Sequence, residues 1–147
     1  MQSHSTANSD PKAIDLPAML ATLGSYDQFF GTRHIQTLSL AGRIAEVLRE
    51  LGELQTARSL LERVVRDLNQ SSTRTHPTRI SALGTLRAVL LEQSQLPKAI
   101  AVQKELWECR LLIAGPDAPE TTAARACLGT LLMSSSPTAY PENTLEV

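Results

Sequence analysis

Cysteine, histidine and clustered arginine are the side chains of this chain best suited to chemistry. A thiol becomes a nucleophile when an adjacent base or charge lowers its pKa. Cys127 has no histidine within one helical turn of it in sequence. It reads as a buried or groove-lining thiol, and two cysteines, Cys109 and Cys127, do not make a disulfide framework. Three scattered histidines and two distant cysteines make no zinc constellation, and His4 falls in a polar N-terminal stretch. The chain has no glycine-rich phosphate loop, no His-Glu-x-x-His and no Gly-x-Ser-x-Gly. No catalytic residue, metal or cofactor is therefore expected. Arg43 and Arg49 remain, and a guanidinium is shaped to grip a partner's carboxylate. Glu46 and Glu50 are spaced to neutralise them within one helix, at about 0.2–0.5 kcal/mol per pair.

The elements that position these residues show in a pattern that occurs three times, 42 residues apart. Its copies are Gly31-Thr32-Arg33-His34-Ile35-Gln36-Thr37-Leu38, Thr73-Arg74-Thr75-His76-Pro77-Thr78-Arg79-Ile80 and Gly115-Pro116-Asp117-Ala118-Pro119-Glu120-Thr121-Thr122. Each copy precedes a segment of helical periodicity. Apolar rows keep the same spacing: Ile44, Leu86 and Leu128 form one, and Leu48, Leu90 and Leu132 another. A repeat of this length implies stacked helix pairs, because one pair cannot bury its apolar face alone. His34 and His76 occupy equivalent loops, which stacking keeps apart. They read as caps or packing groups at helix starts.

Six helices are expected between residues 16 and 133. The first runs from about Pro17 to Phe30, with Pro17 in the first turn, where its missing N–H costs nothing. The second runs from about Gln36 to Leu51 and stops at Gly52, a residue suited to a left-handed cap. The third, Glu53 to about Leu68, follows so closely that the two must be antiparallel neighbours. The fourth opens at Pro77, the fifth runs from about Leu96 to Ile113 and the sixth begins near Pro119. Ser94 stands where the first unit has its turn glycine, Gly52. The sixth helix has no partner after it. Its apolar face calls for cover by the tail, by another copy, or by repeats missing from this chain. Residues 1–15 read as a disordered N-terminal segment and 134–147 as a flexible C-terminal tail. Phe29 and Phe30 are expected to cover the end of the stack. Trp107, next to the core position Leu106, must lie between units or partly on the surface.

Composition agrees with such a fold. Of 147 residues 42% are hydrophobic but only 3% aromatic, so the core must be built from Leu, Ala, Val and Ile. A net charge of −1 with no basic stripe argues against general nucleic-acid binding. No stretch approaches the roughly 20 apolar residues of a membrane span, and the N-terminus lacks the pattern of a secretory signal. With two cysteines the simpler expectation is a reducing, cytoplasmic setting.

The spacing and the loop resemble the 42-residue tetratricopeptide repeats of the kinesin-light-chain type, over about residues 17 to 133. Gly52 and Ala57 match the turn glycine and the early alanine of the second helix in that family, and Ala99 matches the alanine in the second unit. Arg87 departs from it, at a place where the family has a small residue. Its stem is expected to lie along the groove with its charge reaching water. The resemblance implies an all-α, right-handed superhelix whose first helices line a concave face. On that face it implies a partner-binding groove formed by Ser39, Arg43, Glu46, Arg49, Ser81, Thr85, Ala88, Cys127 and Thr130, with Gly42 and Gly84 between them. Arg43, Thr85 and Cys127 stand where the family commonly has the asparagines that clamp a peptide backbone. The function implied is non-covalent capture of a peptide or partner helix, in the groove or at the repeat end. Self-association through the terminal helices is a further expectation. The alternatives are a small-molecule-binding enzyme or enzyme accessory, and an oligomerisation or sensor segment of a larger signalling protein.

Overall fold

A computed structural model describes residues 15–135, which form α1 (Leu16–Phe29), α2 (Ile35–Glu50), α3 (Leu54–Asp67), α4 (Pro77–Glu92), α5 (Leu96–Ala114) and α6 (Pro119–Ser135). No strand occurs among them. The two expected tails lie outside the described residues except at their edges. There Asp15 caps α1 by accepting a hydrogen bond from the Ala18 N–H at 3.1 Å, and Ser134 and Ser135 finish α6. Each helix packs on the next, and α2 also lies against α4. The result is an all-α protein of six helices in a solenoid-like order.

The helix starts follow from the repeated loop. Nδ1 of His34 accepts from the Gln36 N–H at 3.1 Å, and Nδ1 of His76 accepts from the Thr78 N–H at the same distance. Each imidazole thus satisfies one of the orphan donors of a helix N-terminus, the task usually done by Ser, Asp or Asn. In both units α2 and α4 end in the same motif. The Glu53 N–H reaches the Leu48 carbonyl at 2.8 Å, and the Gln95 N–H reaches the Leu90 carbonyl at 2.8 Å. That geometry needs a left-handed residue at the bend. Gly52 supplies it at φ 85°, whereas Ser94 adopts φ 59° despite its Cβ. Loss of the glycine has therefore not changed the turn, only strained it. Ser94→Gly should stabilise the fold by up to about 1 kcal/mol, read as a rise in the midpoint of urea unfolding. An unchanged or lower midpoint would contradict this account of the turn.

The core is aliphatic, as the low aromatic content requires. Leu38, Ala41, Ile44, Ala45, Leu48, Ala57, Leu61 and Val64 of the first pair continue into Leu86, Val89, Leu90 and Ala99 of the second. A smaller cluster joins Ile80 and Leu83 to Leu106 and Cys109. Each Leu or Ile fully buried in this way contributes about 1.5–3 kcal/mol. Trp107 is half-buried, in keeping with its place beside Leu106.

The loops between pairs are tied down by arginine, in two different ways. At the first loop Arg63 of α3 donates to Asp27 Oδ1 at 2.7 Å and to the Thr32 carbonyl at 2.9 Å. At the second loop Arg79 of α4 does the equivalent work. It donates to Asn69 Oδ1 at 3.3 Å, to the Arg74 carbonyl at 3.2 Å and to the Val65 carbonyl at 3.1 Å. Asn69 and Arg74 lie one repeat beyond Asp27 and Thr32, so the acceptors keep their places while the donor changes helix. The position equivalent to Arg63 is Glu105, and it forms the ion pair with Arg79. The positions equivalent to Arg79 are Thr37 and Thr121, both buried. Their hydroxyls donate to the carbonyls of Tyr26 at 3.3 Å and Arg110 at 3.2 Å, themselves repeat equivalents. One buried row therefore fastens every first helix to the end of the second helix before it.

Candidate functional site

The residues proposed to line a groove fall on α2, α4 and α6, and the structure gathers those of α2 and α4 around two adjoining spaces that share Pro77 and Ser81. Between α2 and α4 lies a cleft of about 240 Å³ bordered by Ser39, Gly42, Arg43 and Glu46 on one side and by Pro77, Thr78 and Ser81 on the other. The glycine and the serines leave it shallow. Arg43 and Glu46 are both exposed at its rim, and among the described residues neither forms an ion pair. Arg49 is not neutralised by Glu46 or Glu50 either. It reaches one unit along the stack to Glu92, with Nε to Oε1 at 2.9 Å, and links α2 to α4. That pair is exposed to water, so it contributes at most about 1 kcal/mol. It does remove Arg49 from the set of free cations.

The second place is a cavity of about 1100 Å³ against α4 and α5. Ser81, Gly84, Thr85 and Ala88 face it from α4, Leu106, Arg110 and Ile113 from α5, and Arg49 from the edge. The Thr85 hydroxyl donates to the Ser81 carbonyl at 3.2 Å within the helix. Neither Cys127 nor Thr130 lines either space. The Thr130 hydroxyl bonds back to the Ala126 carbonyl at 3.1 Å, and Cys127 is half-buried. The two spaces thus bring together the expected groove residues of the first two units.

Arg87 stands between the cavity and α6. Its Nη1 donates to Gln103 Oε1 at 2.7 Å and lies 3.5 Å from the sulfur of Cys127. Gln103 is buried, and its amide donates to the Ala124 carbonyl on α6 at 2.9 Å. Arg87 is half-buried: its Nη1 is held by α5 and lies against α6, while the side chain also lines the cavity. In the first unit the equivalent places hold Ala45 and Leu61, both fully buried. Two polar residues have together replaced two apolar ones. A long side chain now stands where a methyl group lets helices meet. Accordingly α2 and α4 lie side by side, but no Cα of α6 comes within 8 Å of α4.

Cys109 and Cys127 are free thiols. Burial pushes the Cys109 thiol up from its ordinary value, against the pull of Arg79 and Arg74 beside it. A protonated, fully buried thiol is a poor nucleophile at neutral pH. No group of three or more His, Cys, Asp or Glu able to hold a metal occurs among the described residues.

The aromatic pair at the end of α1 does not seal the stack as expected. Phe29 is 82% exposed, and Phe30 stacks on His34 with ring centroids 5.0 Å apart. Arg79, Gln103 and Arg110 are the residues that sequence reading passed over. A signal was present. Arg79 stands on the same helix stripe as Leu83, Leu86 and Leu90, and each of the three sits at a repeat position that is apolar or small elsewhere. No protein-family model and no curated protein matches this chain. No helix among the described residues is long and apolar enough to cross a membrane.

Proposed function

We propose that this chain is a tetratricopeptide-like interaction scaffold, its helix pairs winding as a right-handed superhelix. It would hold a peptide or partner helix non-covalently against the face of α2 and α4. The observation that carries this reading is the cleft between those helices. Small residues form its walls, and Arg43 and Glu46 offer one charge of each sign at its rim, neither in an ion pair among the described residues. Backbone can approach closely there, and the two rim charges would select a segment with complementary signs. The free thiols fit a cytoplasmic setting.

Selection from a displayed random-peptide library tests the proposal. Peptides retained by the wild-type chain should lose at least about tenfold in affinity to Arg43→Glu, whose exposed position leaves the fold intact. Arg49→Glu is a poorer probe than its neighbour, because it also breaks the link to Glu92. A library yielding no Arg43-sensitive peptide would remove the reading. A second function, an accessory that takes up a small molecule, is favoured by one observation, the cavity beside Arg87 and Arg110.

A further inference from the structure

The cavity against α4 and α5 has its counterpart in the first unit, where the same places are sealed. There Leu38, Ala45, Val64 and Leu68 are all buried, with α4 lying over α2 and α3. One repeat on, the residues are Ile80, Arg87, Leu106 and Arg110. The two aliphatic places are kept. The other two have become arginine, and both arginines line the cavity. No aspartate or glutamate lines it. Arg49 at its edge is neutralised by Glu92, whereas among the described residues neither Arg87 nor Arg110 is paired with a carboxylate. Gln103 and the sulfur of Cys127 engage Nη1 of Arg87, and among the described residues its Nε and Nη2 have no partner. Thr85 adds a hydroxyl to the wall, and Ile113 adds a further apolar side chain.

We propose that this cavity is a binding site for a small amphiphilic carboxylate, its head held by Arg87 and Arg110 and its apolar chain lying on Ile80, Leu106 and Ile113. A guanidinium fork matches a carboxylate through two parallel hydrogen bonds, and such bonds strengthen where water is partly excluded. The aliphatic wall requires more than a bare anion: inorganic phosphate would surrender hydration to a surface that returns little. An uncharged chain would leave both cations without a counter-charge. The inference rests on the small-molecule reading and not on the α2–α4 cleft.

Titration calorimetry of the full chain with octanoate, 1-octanol and inorganic phosphate tests it. Octanoate should bind saturably, and the other two should bind at least about tenfold more weakly. Arg110→Leu and Arg87→Ala copy what the first unit carries at these places, so both should retain the helical circular dichroism of the wild type. Each should weaken octanoate at least about tenfold. Arg110→Gln serves in place of Arg110→Leu if that variant loses helicity. Arg43→Glu should leave octanoate binding unchanged, which separates this site from the peptide cleft. The proposal falls if octanoate does not bind, if 1-octanol binds as well, or if the folded arginine variants bind octanoate like the wild type.

Discussion

Arg79→Thr should lower the stability of the fold by about 3–5 kcal/mol, a drop in Tm on the order of 10 °C. The guanidinium is 0% exposed and satisfies the carbonyls of Val65 and Arg74, the Asn69 side chain and the Glu105 carboxylate together. Threonine at this position reproduces Thr37 of the first unit, so backbone geometry and helix start are kept. What is lost is the donor set, and the acceptors are left behind in a place that water reaches poorly. A buried charge pair broken on one side costs far more than the pair contributes, because the remaining charge stays desolvated. Arg79→Lys should rescue little, since one ammonium cannot span acceptors arranged for a planar fork. The double variant Arg79→Thr with Glu105→Arg restores the first unit's arrangement, a guanidinium coming from the second helix. It should recover roughly half of the loss. A single-variant cost below about 1 kcal/mol, or a double variant no better than the single, would refute the equivalence of the two loops.

The second large effect is graded along the stack. Leu48→Ala and Leu90→Ala should each cost about 2–5 kcal/mol, and Leu132→Ala less than about 1 kcal/mol. The three occupy one repeat position, yet they are 1%, 2% and 48% exposed. Leu48 is enclosed because α3 packs back on α2, and Leu90 because α5 packs back on α4. Among the described residues no helix follows α6, so Leu132 and Met133 face outward. The neighbouring row behaves alike: Ile44 and Leu86 are buried and Leu128 only partly. Chemical denaturation of the three alanine variants reads the gradient directly. Equal costs at all three positions would mean that the α6 face is covered in solution, by another copy of the chain or another segment.

The fold was legible wherever a single helix's own pattern decided it. Period, turn residues and apolar rows located all six helices to within about two residues, the usual latitude at helix ends. The histidine caps were legible for the same reason, since capping is local. What the sequence hid depends on which helix reaches across to which. Arg49 has two glutamates within a helical turn of it, yet it pairs with Glu92 of the next unit. Arg63 and Arg79 serve equivalent acceptors from different helices, which an alignment of rows presents only as one lost arginine and one gained. Arg87 was recognisable as too large for its place. Its inward course depends on Gln103, sixteen residues further on, which is unremarkable until the two are seen in contact. The sixth helix packs on α5 and not on α4, a spacing that the apolar rows alone do not reveal.

The matched exchanges also fix where this chain could be cut and rejoined. Thr37 with Arg63, and Arg79 with Glu105, are each divided between the first and second helix of a single unit, as are Ala45 with Leu61 and Arg87 with Gln103. A crossover in the tight turns at Gly52 or Ser94 would separate every one of these couples. It would place two arginines together in one hybrid and none in the other. A crossover in the long loop around Gln70 would keep all of them intact. Exchange of whole units should therefore be better tolerated at the long connections than in the short hairpins, where each unit's matched residues are divided.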